Sequence, residues 1–101
     1  MREIDIEQAA SALSEGATVV DVREDTEYAA GHVPGVLPIP MGQLPSRLGE
    51  LDRTVPVYVI CASGNRSSAM TAFLIRSGFE AASVAGGTEA WARAGRPIEK
   101  G

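Results

Sequence analysis

The stretch Val57-Tyr58-Val59-Ile60-Cys61-Ala62-Ser63-Gly64-Asn65-Arg66-Ser67 joins the strongest predicted strand of the chain to its best-defined helix. Residues 57–60 are apolar and mostly β-branched, which is typical of a short strand covered on both faces. From Arg66 or Ser67 onward the apolar residues take a helical spacing. The sequence therefore predicts a strand, a loop that begins at Cys61, and a helix.

Further strands and helices are predicted on both sides of this unit. Residues 18–22 form a β-branched apolar run, which predicts a parallel strand at the centre of the sheet. Asp5 fits a helix N-cap, with Gln8 placed to complete a capping box, and the helix should end at Gly16. The alternation of predicted strands and helices along the chain indicates an α/β fold. It predicts a central, mostly parallel sheet of about five short strands with helices on both faces. The predicted strands cover residues 4–6, 18–22, 36–39, 57–60 and 82–85.

The remaining helices are predicted from their end signals. Asp25 is expected to cap a brief helix that ends near Ala30, and Pro45 suits the first position of the next one. Gly78 is expected to end the helix after the loop in a left-handed conformation. A last helix is predicted over residues 88–94.

The composition favours one globular domain over residues 1–101. With 45% hydrophobic and 22% charged residues, the chain can bury a core. A net charge of -4 gives no overall positive field, so neither nucleic acid nor a membrane surface is expected as a partner. The longest apolar run, residues 55–62, is much shorter than the roughly 20 residues of a spanning helix. Charged residues at the N-terminus do not fit a signal peptide, so a cytoplasmic location is expected.

The chain has one cysteine and one histidine. A closed zinc site needs about four ligands and a disulfide needs two cysteines, so neither is expected within one chain. No metal and no cofactor are predicted. Cys61 is therefore a lone thiol whose surroundings decide its role.

The loop after Cys61 is suited to hold an anion or a thiolate. Gly64 allows the backbone to curl tightly, so that successive N–H groups face inward, and the following helix adds its positive end. A thiol in such a cradle should ionise more readily than a free one, whose pKa is about 8.5. Arg66 supplies a permanent cation nearby. We therefore expect Cys61 to act as a nucleophile.

Three stretches of the chain resemble signatures of the rhodanese-like (sulfurtransferase) domain family. The first comprises residues 20–24, Glu27-Tyr28 and the segment Gly31-His32-Val33-Pro34-Gly35. The second is the loop from Cys61 to Ser67, and the third is Gly86-Gly87-Thr88-Glu89-Ala90-Trp91. Their order and spacing make the resemblance specific, and it covers nearly the whole chain.

The resemblance implies a sulfurtransferase that works through Cys61. The thiol would take sulfane sulfur from a donor such as thiosulfate, become a persulfide, and pass the sulfur to cyanide or another thiophilic acceptor. The amides of the loop would stabilise the persulfide anion, and Arg66 would orient the anionic donor. The loop residues that would form this substrate- and anion-binding set are Ala62, Ser63, Gly64, Asn65, Arg66 and Ser67.

Five other residues of the signatures are interpreted as structural. Asp21 and Arg23 are expected to pair and fix a neighbouring loop, although direct chemistry is an alternative. His32 could be a general base, but its Gly- and Pro-rich surroundings favour a structural turn. Gly87 belongs to a tight turn before the last helix, and Trp91 should be buried against the sheet.

Two other functions remain open. A phosphatase or arsenate reductase would use the same thiolate, amides and Arg, but four residues separate Cys61 from Arg66, one fewer than in tyrosine-phosphatase-type loops. The domain could also bind a protein partner, or relay sulfur from a partner's persulfide to another protein. The small, uncharged loop residues leave the physiological donor and acceptor undetermined, as well as the oligomeric state.

Overall fold

A computed structural model describes residues 2–101, and within them the chain forms a five-stranded sheet that is parallel throughout. The strand order is β1-β5-β4-β2-β3. The strand that leads into Cys61 therefore lies in the middle of the sheet. The strands are β1 (Glu3–Ile4), β2 (Thr18–Asp21), β3 (Leu37–Pro38), β4 (Val57–Ile60) and β5 (Ala81–Val84).

Three α-helices and one 3-10 helix connect the strands in this part of the chain, and a fourth α-helix follows the last strand. The 3-10 helix covers Met41–Glu50. Within residues 2–101, every helix is too short or too polar to span a lipid bilayer. The α-helices are α1 (Ile6–Ser14), α2 (Asp25–Ala30), α3 (Asn65–Arg76) and α4 (Gly87–Arg93).

The side chains of β4 alternate between two hydrophobic clusters, one on each face of the sheet. Val57 and Val59 belong to the cluster that also contains Leu74 of α3. Ile60 belongs to the other cluster, together with Trp91 of α4. Because both faces are covered, the strand can be apolar at every position, as predicted.

The predicted capping box at the start of α1 is confirmed. The N–H of Gln8 donates to Oδ1 of Asp5 at 2.8 Å, and the N–H of Asp5 donates to Oε1 of Gln8 at 2.9 Å. This cap begins the helix at Ile6, so the strand predicted over residues 4–6 ends at Ile4. The other predicted strands and α-helices are present with ends shifted by one or two residues, whereas the helix predicted from Pro45 begins four residues earlier, at Met41.

Three predictions about the position of elements are wrong. β2 is an interior strand that pairs in parallel with β3 and β4, but the middle position of the sheet, which was predicted for it, belongs to β4. Glu24, not Asp25, is the N-cap of α2, because its N–H donates to Oε1 of Glu27 at 3.0 Å. Pro45 lies inside the 3-10 helix, which begins earlier because the carbonyl of Pro40 already accepts N–H groups.

An ion pair between Asp21 and Arg23 is buried at the end of β2. Their exposed side-chain fractions are 1% and 7%. Arg23 donates from Nε and Nη2 to both carboxylate oxygens, and Nη2 also donates to the carbonyl of Gly31 at 2.9 Å. The pair expected from the sequence is present, and it ties β2 to the turn after α2.

We predict that Asp21→Asn destabilises the fold by about 3–5 kcal/mol, because it leaves the Arg23 cation buried without a counter-charge. Urea unfolding measures this free energy. Glu50→Gln is the matched control, since it removes the carboxylate of the exposed Arg47–Glu50 pair and should change the unfolding midpoint little. Equal changes in the free energy of unfolding of the two variants would contradict the prediction.

Candidate active site

Cys61 follows β4 directly and lies at the carboxyl end of the sheet, where sites form in parallel α/β folds. The chain then turns through the loop into α3, whose N-cap is Gly64. Gly64 has a φ of 116°, a conformation that L side chains rarely adopt. Glycine at this position therefore allows the loop to close around the thiol.

The sulfur of Cys61 is surrounded by hydrogen-bond donors. The N–H of Gly64 lies 3.1 Å from Sγ and the N–H of Ser67 lies 3.3 Å from it. The hydroxyl of Ser67 is 3.4 Å from the same atom. Cys61 is only 1% exposed, so its thiol sits inside the loop and not on the surface.

The surroundings of Cys61 have opposing effects on the pKa of its thiol. Burial disfavours the thiolate and raises the pKa. Hydrogen bonds from the Ser67 hydroxyl and from the N–H groups of Ser67, Gly64 and Ser63 act the other way, and together they outweigh burial. The net result is a pKa of Cys61 below that of an ordinary cysteine thiol, which favours the nucleophilic thiolate.

The carbonyls at the start of the loop point away from the sulfur and bind to α4. The N–H and the hydroxyl of Thr88 donate to the carbonyl of Cys61 at 2.8 and 3.1 Å. The N–H of Glu89 donates to the carbonyl of Ala62 at 3.0 Å. A Cβ on Gly87 would overlap both carbonyls, so only glycine permits this approach. The predicted turn at Gly87 thus also supports the loop.

Arg66 forms an ion pair that was not predicted. Its Nη1 and Nη2 donate to the two carboxylate oxygens of Glu27 at 2.7 and 2.9 Å. The hydrogen bond from Arg66 lowers the pKa of Glu27 to about 2, with a further contribution from the N–H of Glu24. The same bond raises the pKa of Arg66. Both groups therefore stay charged at neutral pH, and the cation is largely balanced.

A second unpredicted contact lies beneath the loop. The hydroxyls of Ser67 and Ser83 are 2.8 Å apart, and both residues are fully buried. Ser83 belongs to β5 and pairs in register with Val59 of β4, so it lies beside the strand that carries Cys61. The contact holds the Ser67 hydroxyl in place, 3.4 Å from the sulfur of Cys61.

The remaining predicted loop residues contribute little through their side chains. Ser63 and Asn65 are exposed, and Ala62 is half-buried. Within residues 2–101, the thiol sulfur accepts hydrogen bonds from the N–H groups of Gly64 and Ser67. In this part of the chain it accepts none from the N–H groups of Ala62, Asn65 or Arg66. The N–H groups of Gly64 and Ser67 are thus the members of the predicted set that lie within hydrogen-bond distance of the thiol sulfur itself.

His32 and Trp91 are bonded to groups outside the loop. Nδ1 of His32 lies 2.9 Å from the carbonyl of Tyr28, whose ring stacks on the imidazole at 3.7 Å between centroids. Nε2 of His32 faces Glu99 at 3.7 Å. Trp91 is 5% exposed and donates from Nε1 to the carbonyl of Pro97 at 2.7 Å. The side chains of His32 and Trp91 therefore pack against, and bond to, segments other than the Cys61 loop.

Within the described part of the chain, no group of three or more His, Cys, Asp or Glu side chains is arranged to hold a metal ion. The single cysteine has no partner for a disulfide. The loop therefore brings together a thiol whose pKa is lowered and, at Arg66, an arginine that is paired with Glu27.

Comparisons with known proteins find similarity over nearly the whole chain. The sequence model of the rhodanese-like domain matches residues 5–94. A protein named sulfurtransferase from Allochromatium vinosum is 37% identical, over 97% of this chain and 94% of that protein. The thiosulfate sulfurtransferase GlpE of Pseudomonas entomophila is 36% identical, over 89% of this chain and 84% of that protein.

Solved structures share the fold over the full length. A rhodanese-related protein from Thermoplasma volcanium has a TM-score of 0.90 and 33% identity, and the match covers 98% of each chain. A rhodanese-like domain protein from Staphylococcus aureus has a TM-score of 0.88 and 33% identity, covering 100% of this chain and 99% of that one.

We predict that Ser67→Ala raises the pKa of Cys61. The substitution removes the hydroxyl that opposes the effect of burial, so less thiolate should be present at neutral pH. The ultraviolet absorbance of the thiolate, measured as a function of pH, gives the midpoint of the Cys61 titration. Ser68→Ala is the matched control, because the Ser68 side chain makes no hydrogen bond to the thiol. An unchanged midpoint in Ser67→Ala would refute this account of the low pKa.

Proposed function

The chain belongs to the rhodanese-like domain family, and we propose that it is a sulfurtransferase that moves sulfane sulfur through a persulfide on Cys61. The observation that carries the proposal is the thiol at the carboxyl end of β4, with the N–H groups of Gly64 and Ser67 directed at its sulfur. Relatives named as sulfurtransferases support the reaction class.

The first step with thiosulfate as donor balances without any other reagent. The Cys61 thiolate attacks the outer sulfur of thiosulfate and a new S–S bond forms. The S–S bond of thiosulfate breaks, and sulfite leaves with the electron pair. In the second step cyanide, or a thiolate, takes the outer sulfur and Cys61 returns to its thiolate form.

The loop is suited to both states of Cys61. Hydrogen bonds from backbone N–H groups stabilise the thiolate before attack, and they can stabilise the negative persulfide afterwards. These donors are fixed by the fold, so they need no reorganisation during the reaction. Because Cys61 is only 1% exposed, we expect bulky electrophiles to react with its sulfur more slowly than slender ones do.

Arg66 is proposed to position an anionic donor near the loop. Its two terminal nitrogens are bound to Glu27, but a guanidinium has five N–H donors and can bind a second anion at the same time. The ion pair with Glu27 would fix the side chain in place. Donor binding would then rely on the remaining N–H groups of Arg66 and not on a free positive charge.

We expect wild-type protein to gain the mass of one sulfur atom after incubation with excess thiosulfate, and to lose it after addition of cyanide. Cys61→Ser should gain nothing, because it lacks the attacking thiolate. Intact-protein mass spectrometry reads the covalent intermediate directly. Turnover that survives in Cys61→Ser would exclude the mechanism. Faster hydrolysis of an aryl phosphate than transfer from thiosulfate would favour the phosphatase alternative.

A second prediction concerns the KM for thiosulfate. Arg66→Ala should raise it about tenfold, because it removes a charged hydrogen-bond donor, and should change kcat less. The variant also leaves the Glu27 carboxylate bare, so Arg66→Ala combined with Glu27→Gln is the control for that added repulsion. Steady-state rates of thiocyanate formation give both constants. A KM that stays at the wild-type value in both variants would remove Arg66 from donor binding.

A further inference from the structure

A cleft of about 330 Å³ adjoins the loop on the side of α4. The floor of the cleft is largely apolar, and its edge includes Ala62, the residue after Cys61. This volume lies at the lower end of the range for small-molecule sites, which is about 300–1,000 Å³. The apolar side chains that line the cleft come from α2, the loop, α4 and the C-terminal segment: Ala30, Ala62, Ala92 and Ile98.

The charges that line the cleft do not cancel. Arg23 is paired with Asp21, and Glu27 is paired with Arg66, so these four groups contribute no net charge. Glu89 also lines the cleft and is exposed. Among the ion pairs formed within residues 2–101, none includes Glu89. The cleft therefore presents one carboxylate outside these ion pairs, beside a largely apolar lining.

We propose that this cleft holds the organic part of an acceptor thiol, and that Glu89 makes the cleft prefer thiols that carry a positive charge. This rests on the proposed function, because it concerns the second step of the same reaction. A small thiol with an ammonium group would place its carbon atoms on the apolar floor and its charge near Glu89. A thiol that carries a sulfonate would meet repulsion at the same point.

The transfer step balances with the acceptor alone. The acceptor thiolate attacks the outer sulfur of the Cys61 persulfide, and a new S–S bond forms on the acceptor. The S–S bond to Cys61 breaks, and its electron pair returns to Cys61 as the thiolate. The product is the acceptor persulfide, and no oxidant or reductant is consumed.

The test measures transfer from loaded protein to three thiols of different charge: 2-aminoethanethiol, 2-mercaptoethanol and 2-mercaptoethanesulfonate. Each rate is expressed per thiolate present at the assay pH. One exposed charge at about 6 Å in water should change such rates about threefold. Glu89→Gln should therefore lower the transfer rate to the cationic thiol about threefold and raise the rate to the anionic thiol about threefold. The rate to the neutral thiol should not change. High salt should remove these differences.

Two controls separate charge from structure. Glu15→Gln makes the same charge change at the opposite end of the sheet, near Thr18 and Val55, and should alter none of the three rates. Ala92→Phe narrows the cleft without changing its charge. It should lower the rate of sulfur transfer to all three organic thiols. Transfer to cyanide should keep the wild-type rate, because cyanide is too small to need the cleft.

The loaded protein is prepared with inorganic polysulfide as well as with thiosulfate, so that failure of one donor does not decide the result. If neither reagent adds sulfur to Cys61, the persulfide mechanism and this inference are both wrong. If sulfur is added but Glu89→Gln changes the three rates equally or not at all, the proposed function stands and the role of Glu89 is refuted.

Discussion

The contact between Gly87 and the start of the loop is the constraint on which the site depends. A side chain at Gly87 would overlap the carbonyls of Cys61 and Ala62, and its absence lets α4 approach them. Thr88 and Glu89 then bind these carbonyls through their N–H groups. With its carbonyls held outward, the loop can turn later N–H groups toward the sulfur. The low pKa of Cys61 thus begins with a glycine that touches neither the sulfur nor a substrate.

The thiol is activated mainly by neutral donors and not by a nearby cation. From the sequence, Arg66 was expected to supply a strong local positive charge. In the structure Glu27 balances that charge, and the groups that lower the pKa of Cys61 are a hydroxyl and backbone N–H groups. Such donors are fixed by the fold and keep their effect when salt screens exposed charges. This arrangement suits a molecule whose net charge is -4.

The sequence predicted the local features of the site well, because they depend on neighbouring residues. The strand before Cys61, the glycine at position 64 and the helix after the loop all follow from short-range patterns. The partners of the site come from distant segments, and short-range patterns carry no signal for them. Glu27 precedes Arg66 by 39 positions, and Ser83 follows Ser67 by 16. Only the strand order brings them together. The parallel register of β4 and β5 explains the contact between Ser67 and Ser83, since it sets Ser83 beside Val59, two residues before Cys61.

In the functions proposed above, activation of the thiol and recognition of the acceptor rely on different parts of the chain. The donors to the sulfur are backbone groups and a buried serine, which few substitutions can alter without disturbing the fold. The cleft beside the loop is lined by side chains on the surfaces of α2 and α4, where residues such as Ala92 and Glu89 can change at little structural cost. On this proposal, substitutions in the cleft change the acceptor preference while the environment of Cys61 stays the same. This division explains why the loop sequence alone predicts the chemistry but not the acceptor.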